Sequence, residues 1–255
     1  MKLRRLSPLA LALIAVIAPG VPLAMLFFDE VASLKAELAQ WQEIHEEADF
    51  TDVIEQLDDL AGTTFTDVDD LAWFAPYVSS LAEWGIVSGY KDAQGKTTGA
   101  FGPGDPVTVA EVLKMAVNAA RVDTTECSAP SYTADANSHW AKDYVGCAEE
   151  LRARLFAPSY GITLNRPARR AEVLAIMHDV AGDSVPALFA SFIDTQGHRF
   201  ESDIAYASQL NVVSGDTDAS GAATGTFRPD DAVNRAEAAK IIYQKIKEQA
   251  KQDVL

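Results

Sequence analysis

The chain has 255 residues, 48% of them hydrophobic and 23% charged, which is a globular balance with room for one or two domains or several small repeats. Its formal net charge of −16 argues against a nucleic-acid partner, because phosphate binding needs clustered lysine and arginine. The only cysteines, Cys127 and Cys147, form no CxxC pair and have no histidine at ligand spacing, so a zinc site is not expected.

The first segment, residues 1–28, places Lys2, Arg4 and Arg5 before an uncharged, largely apolar run from Leu6 to Phe28. This pattern predicts an export signal or a membrane anchor with its basic end retained inside. Ala18 and Ala24 are possible cleavage positions, although Pro19 and Pro22 fit them poorly. The run is also long enough to span a bilayer, which takes roughly 20 residues. Under either reading the rest of the chain faces outward. There Cys127 and Cys147 would form a disulfide closing a short loop, worth on the order of 3 kcal/mol. In a reducing cytosol they would be two buried thiols.

Residues 29–60 read as a helical spacer, with Val31, Leu34, Leu38, Trp41 and Ile44 recurring every three or four positions. Self-similarity begins after it. Gly89, Gly95, Gly99, Phe101, Pro103 and Glu111 recur as Gly215, Gly221, Gly225, Phe227, Pro229 and Glu237, at one offset (215 − 89 = 126). A degenerate copy between them carries Arg170-Ala171-Glu172. Three units follow from this, at 61–122, 123–183 and 184–248, with a tail at 249–255.

Each unit reads as helix–loop–helix. A first helix carries Tyr77, Leu81 and Trp84, or Ile204, Ala207 and Leu210, and Gly85 or Asn211 ends it in a left-handed conformation. A loop rich in glycine and aspartate follows, then Phe-x-Pro and a second helix. Thr108 with Glu111, and Asn234 with Glu237, have the spacing of a capping box, which accounts for the recurring glutamate by helix initiation alone. Arg169 occupies the same cap position in the middle unit and is a poor cap.

Arg170 and Arg235 need another explanation, since a cation in the first helical turn opposes the macrodipole. A carboxylate on a neighbouring unit is one partner that would hold them there, and a bound anion is the other. The first unit has Val109 at this position. Asp216 to Gly221 opens like a calcium loop, but Phe227 stands where its last ligand is needed, so a turn is the plainer reading. The four histidines are scattered and no nucleophile context surrounds them. No catalytic residue, cofactor or metal is expected.

The motif set resembles the S-layer homology (SLH) domain. It comprises Phe65-x-Asp67, Trp73, Gly85-Ile86-Val87-x-Gly89-Tyr90, Phe101-x-Pro103 and Val107-Thr108-x-Ala110-Glu111; then His139-Trp140-Ala141 and Arg170-Ala171-Glu172; then Phe192-x-Asp194, Gly215, Phe227-x-Pro229 and Val233-x-Arg235-Ala236-Glu237. The resemblance implies a mainly α fold in which three repeats form a pseudo-threefold helical bundle. It also implies a non-catalytic module on the outer face of the cell envelope. Such a module holds a secondary cell-wall polysaccharide or peptidoglycan-linked polymer, often pyruvylated, in grooves between repeats. Carried over to this chain, Arg170 and Arg235 become anion-binding candidates, and Trp73 and Trp140 become sugar-stacking or groove-wall candidates. Core packing is the competing expectation for both tryptophans. Membrane contact would come through residues 6–28 if they are not cleaved. The alternative to glycan binding is an envelope scaffold or a protein-interaction module.

Overall fold

The computed structural model describes residues 65–134 and 136–252. The signal or anchor at 1–28 and the spacer at 29–60 lie outside the described residues. Among these residues the chain is mainly helical, with six α-helices: α1 (Ala75–Glu83), α2 (Val109–Ala119), α3 (Lys142–Glu150), α4 (Arg170–Ala181), α5 (Glu201–Gln209) and α6 (Arg235–Gln252). They fall into two compact units, divided between Ala100 and Phe101.

In the first unit α1 buries Val78 and Leu81. Tyr77 and Trp84, read from spacing as part of its apolar face, are half-buried. The chain then forms a small hairpin in which Tyr90 N donates to Ala100 O and Thr66 N to Gly99 O, both at 2.8 Å. Gly89 sits where strand-like segments press together, and a Cβ there would meet Ala100 O at 2.5 Å and the Phe65 ring at 2.8 Å. The second unit repeats this arrangement. Asp216 N donates to Thr226 O at 2.8 Å, and a Cβ on Gly215 would meet the Phe192 ring at 2.6 Å. Gly89 and Gly215 therefore have no room for a side chain, whereas Gly95, Gly99, Gly221 and Gly225 take left-handed conformations with φ between +77° and +83°.

Each of the three first helices ends in the same way. Leu81 O accepts from Ile86 N, Ala148 O from Ala153 N and Ala207 O from Val212 N. This six-residue closure needs a left-handed residue just before it. Gly85 (φ +69°) and Asn211 (φ +57°) supply it as expected, and Arg152 (φ +58°) takes the place in the middle repeat.

The centre of the second unit is a set of crossings between the segments that lead into α2, α4 and α6. Val107 N donates to Val233 O, Val233 N to Ala168 O and Ala168 N to Val107 O, at 2.9–3.0 Å, which closes a ring of three. All three residues have no solvent exposure. The first amides of each helix, which have no partner within the helix, are satisfied by the next segment around. Ala110 N donates to Leu164 O, Ala171 N to Pro229 O and Ala236 N to Pro103 O. Leu164, Pro229 and Pro103 are thereby equivalent, which places Ile162 opposite Phe227 and Phe101. α2 packs against α3, α4 and α6, and α4 against α5 and α6.

Cys127 and Cys147 are joined by a disulfide. It fastens the 123–133 segment to α3, where Glu149 accepts amides from Ser131, Tyr132 and Thr133, and Glu150 accepts from Ser128. The Asp216–Gly221 segment is a turn. Asp218 Oδ1 accepts from the amides of Ser220 and Ala222, just as Asp92 Oδ1 accepts from Gln94 and Lys96.

Candidate functional site

The two motif arginines occupy matching positions. Arg235 Nε donates to Phe101 O at 2.7 Å, its guanidinium stacks 4.8 Å from the Phe101 ring, and Nη1 meets Glu111 Oε1 at 2.5 Å. Arg170 Nε donates to Phe227 O at 2.9 Å, stacks 4.7 Å from the Phe227 ring, and stands 3.8 Å from Glu237. The Arg235 side chain is 4% exposed and that of Arg170 is 11%. Of the two partners open to them from sequence, the carboxylate of another repeat is the one they meet. Burial also draws the Arg170 guanidinium below its usual value.

The same glutamates begin their helices. Glu111 accepts from Thr108 N and Glu237 from Asn234 N, while Thr108 Oγ1 and Asn234 Oδ1 accept in return. The middle repeat keeps only the glutamate's half, with Glu172 accepting from Arg169 N at 3.0 Å.

At the third junction Val109 replaces the arginine, and the difference is made up locally. Glu172, almost fully buried, receives two bonds from Arg166, at 2.8 and 2.6 Å, and one from the Tyr160 hydroxyl at 2.9 Å. Burial alone would raise the Glu172 carboxyl. The Arg166 bonds, with the Arg169 amide and Tyr160, outweigh it and hold the carboxyl below the usual range. Buried Val109 and Ile162 stand where the other junctions stack arginine on phenylalanine.

Trp73 and Trp140 are each 56% exposed, so core packing does not describe them. Each stands four residues before a tyrosine it leans on, Tyr77 at 6.5 Å and Tyr144 at 6.4 Å between ring centroids. The position is fixed in the middle and last repeats by a histidine. His139 Nδ1 accepts from Ala141 N, and His198 Nδ1 from Phe200 N, both at 3.1 Å. The residue between is Trp140 in one repeat and Arg199 in the other. Arg199 stacks 4.3 Å from the Tyr160 ring. Two of the histidines that looked scattered in sequence, His139 and His198, thus mark equivalent helix starts. Trp73 belongs to the first unit, and Trp140, Arg170 and Arg235 belong to the second.

A cavity of about 370 Å³ opens between the middle and last repeats. Tyr160, Arg169 and Glu172 line it from one side, and His198, Arg199 and Asp230 from the other. Arg169 and Arg199 are exposed. Among the described residues no carboxylate pairs with Arg199, and no group of histidine, cysteine or acidic residues is arranged to hold a metal. Sequence reading missed Arg169 as a groove residue because it weighed that position only as a poor cap. The Arg199 signal was the break in the tryptophan position, visible only once the histidines are aligned.

Between α4 and α5 lies a second feature that sequence did not suggest. His178 Nδ1 sits 3.0 Å from Asp203 Oδ1, both 1% exposed, and Arg154 grips Asp203 at 2.6 and 3.0 Å and Asp179 at 2.8 Å. Burial would raise the Asp203 carboxyl, but His178 and Arg154 together hold it below its ordinary value. This cluster ties α4 to α5 across the two repeats.

The family model of the S-layer homology domain matches residues 64–113 and 191–239, within the first and last repeats. No curated protein matches the chain. Domains of this family are non-catalytic modules that anchor proteins to the cell wall through its secondary polymers. With the motif matched twice and the helical core built on its arginines and glutamates, the chain carries S-layer homology domain sequence at 64–113 and 191–239, and that domain implies association with the cell-envelope surface.

Proposed function

We propose that the chain anchors non-covalently to the bacterial envelope by binding an acidic wall polysaccharide, such as one carrying ketal-linked pyruvate, in a groove between repeats. The observation that carries this reading is the cavity between the middle and last repeats, with the exposed guanidiniums of Arg169 and Arg199 at its mouth. A guanidinium stacked face-on to a ring keeps its planar N–H edge available for a carboxylate. These local cations matter because the chain as a whole repels anions.

In this reading the repeats at 61–122, 123–183 and 184–248 set α2, α4 and α6 in a pseudo-threefold arrangement around the ring of Val107, Ala168 and Val233. Arg170 and Arg235 contribute by holding the groove walls, each clamping the Phe-x-Pro carbonyl and the motif glutamate of another repeat. Trp73 and Trp140, half exposed, offer ring faces on which a sugar can stack. Residues 1–28 would deliver the chain to the outer face, as a cleaved signal or as an anchor, and 29–60 would space the repeats from it.

The test is co-sedimentation of the full chain with purified walls, before and after removal of the acidic secondary polymer. Pelleting that depends on the polymer and weakens with salt is expected. Pelleting that survives its removal would overturn the reading. A second reading, an envelope scaffold without glycan binding, draws on the internal ion pairs of Arg170 and Arg235. It predicts no pelleting under either condition.

A further inference from the structure

Among the differences between the two junctions flanking the middle repeat, one changes a charge at the surface. Ala110 N donates to Leu164 O and Ala171 N to Pro229 O, so Asn165 and Asp230, the next residues in the chain, correspond. Each faces the equivalent histidine. His139 Nε2 lies 2.8 Å from Asn165 Oδ1, and His198 Nε2 lies 3.7 Å from Asp230 Oδ1. With Nδ1 of each ring accepting a backbone amide, Nε2 carries the proton and faces outward. One junction thus closes with a neutral amide and the other with a carboxylate.

Asp230 does more than face His198. Its Oδ1 also accepts from Arg169 Nη1 at 3.0 Å, at the mouth of the cavity that Arg199 lines from the other side. A carboxylate held between an arginine and a histidine occupies the place an incoming anion would take. Asp230 remains 63% exposed, so water can replace it at small cost. Glu172, on the same cavity, does not compete in this way, because Arg166 already neutralises it.

We infer that Asp230 is a built-in competitor of the groove: its carboxylate occupies the Arg169–His198 position and must yield when an anionic sugar binds. The inference rests on the groove reading proposed above. It makes Asp230 a residue that sets affinity and selects ligands able to displace it, those with a carboxylate free to bridge Arg169 and the His198 Nε2–H. Asn165 shows what the chain builds at this position without the charge.

The experiment is calorimetric titration of the full chain with tri-galacturonate at low and at raised salt, comparing wild type, Asp230→Asn and Asp230→Glu. An exposed ion pair and one nearby like charge are each worth up to about 1 kcal/mol, so Asp230→Asn is expected to bind about 5- to 10-fold more tightly at low salt. The gain shrinks as salt rises, because it is electrostatic. Asp230→Glu keeps the charge and shows no gain. A gain by Asp230→Asn over a wild type that does not bind measurably would also support the inference. Wild-type binding that Asp230→Asn leaves equal or weaker overturns it while the groove reading stands. Binding by none of the three overturns both.

Discussion

Arg235 and Glu111 lie 124 positions apart in the chain, yet Nη1 and Oε1 meet at 2.5 Å, with the arginine side chain almost wholly out of water. A contact of this kind joins the last repeat to the first, and Arg170 with Glu237 is its looser counterpart. Removing one partner of a buried pair leaves the other charge uncompensated, at a cost of about 3–5 kcal/mol. Glu111 is 24% exposed, which lowers the figure. We expect Arg235→Gln to cost roughly 2–4 kcal/mol and Arg170→Gln roughly 1–2, since Glu237 is farther away and more exposed. Urea unfolding measures both, and an equal or reversed order would contradict the assignment.

The middle glutamate offers a test of compensation. With Glu172 already held by Arg166, Val109→Arg would bury a cation with no carboxylate left for it, and should cost about 3 kcal/mol or more. Arg166→Ala alone should cost a similar amount by stranding Glu172. If the local arginine stands in for the absent one, the double variant should be at least about 1 kcal/mol more stable than the sum of the two losses. Strict additivity in a double-mutant cycle would refute the substitution.

Acid should unfold the repeats in a defined window. Glu172 and Asp203 have native values below their unfolded ones, which are about 4.3 and 3.9. Their contribution is therefore complete above about pH 5 and is lost as the pH falls through the depressed native values. Asp179 opposes this. Burial raises its carboxyl, so its contribution is present at low pH and lost as the pH rises through the raised value. The urea midpoint should fall steadily below about pH 4.5, and Glu172→Gln should flatten that fall. A Glu172→Gln profile parallel to wild type would be inconsistent with this account.

The groove arginine can be separated from the fold. Arg199 stacks on Tyr160 at the surface, without an ion pair among the described residues, so Arg199→Ala should leave stability within about 0.5 kcal/mol. A lost charged hydrogen bond to the polymer is worth about 1.5–3 kcal/mol, so wall pelleting should weaken roughly tenfold or more. Arg170 and Arg235 are poorer reporters, because their loss weakens the helical core and binding together. Full pelleting by Arg199→Ala would remove Arg199 from the contact surface.

Much of the architecture was legible because it depends on local chemistry repeated at a constant spacing. Thr108 and Asn234 are good caps, Gly85 and Asn211 tolerate the left-handed turn, and Gly89 and Gly215 recur where backbone and phenylalanine leave no space. The middle repeat was harder to read for the same reason. Arg152 makes its helix end without a glycine, Ile162 and Leu164 stand in for Phe-x-Pro, and Arg166 replaces an arginine that belonged to another repeat. Each substitution keeps the geometry while changing the residue type, and only the backbone hydrogen bonds reveal the correspondence. The groove was less legible still. Arg169, His198, Arg199 and Asp230 have no common motif, and distant contacts bring them to one opening.

The ring through Val107, Ala168 and Val233 also constrains when the helical core can exist. A ribosome makes these residues in that order, so Val107 N has no acceptor and Ala168 O has no donor until residue 233 has been made. The partners of Glu111 and Phe101 arrive only two residues later, with Arg235. Helices can form earlier, but the core that joins them cannot close until residue 233 has been made. Until then residues 101–232 lack the contacts that close this core, so the segment is open to handling before it is packed.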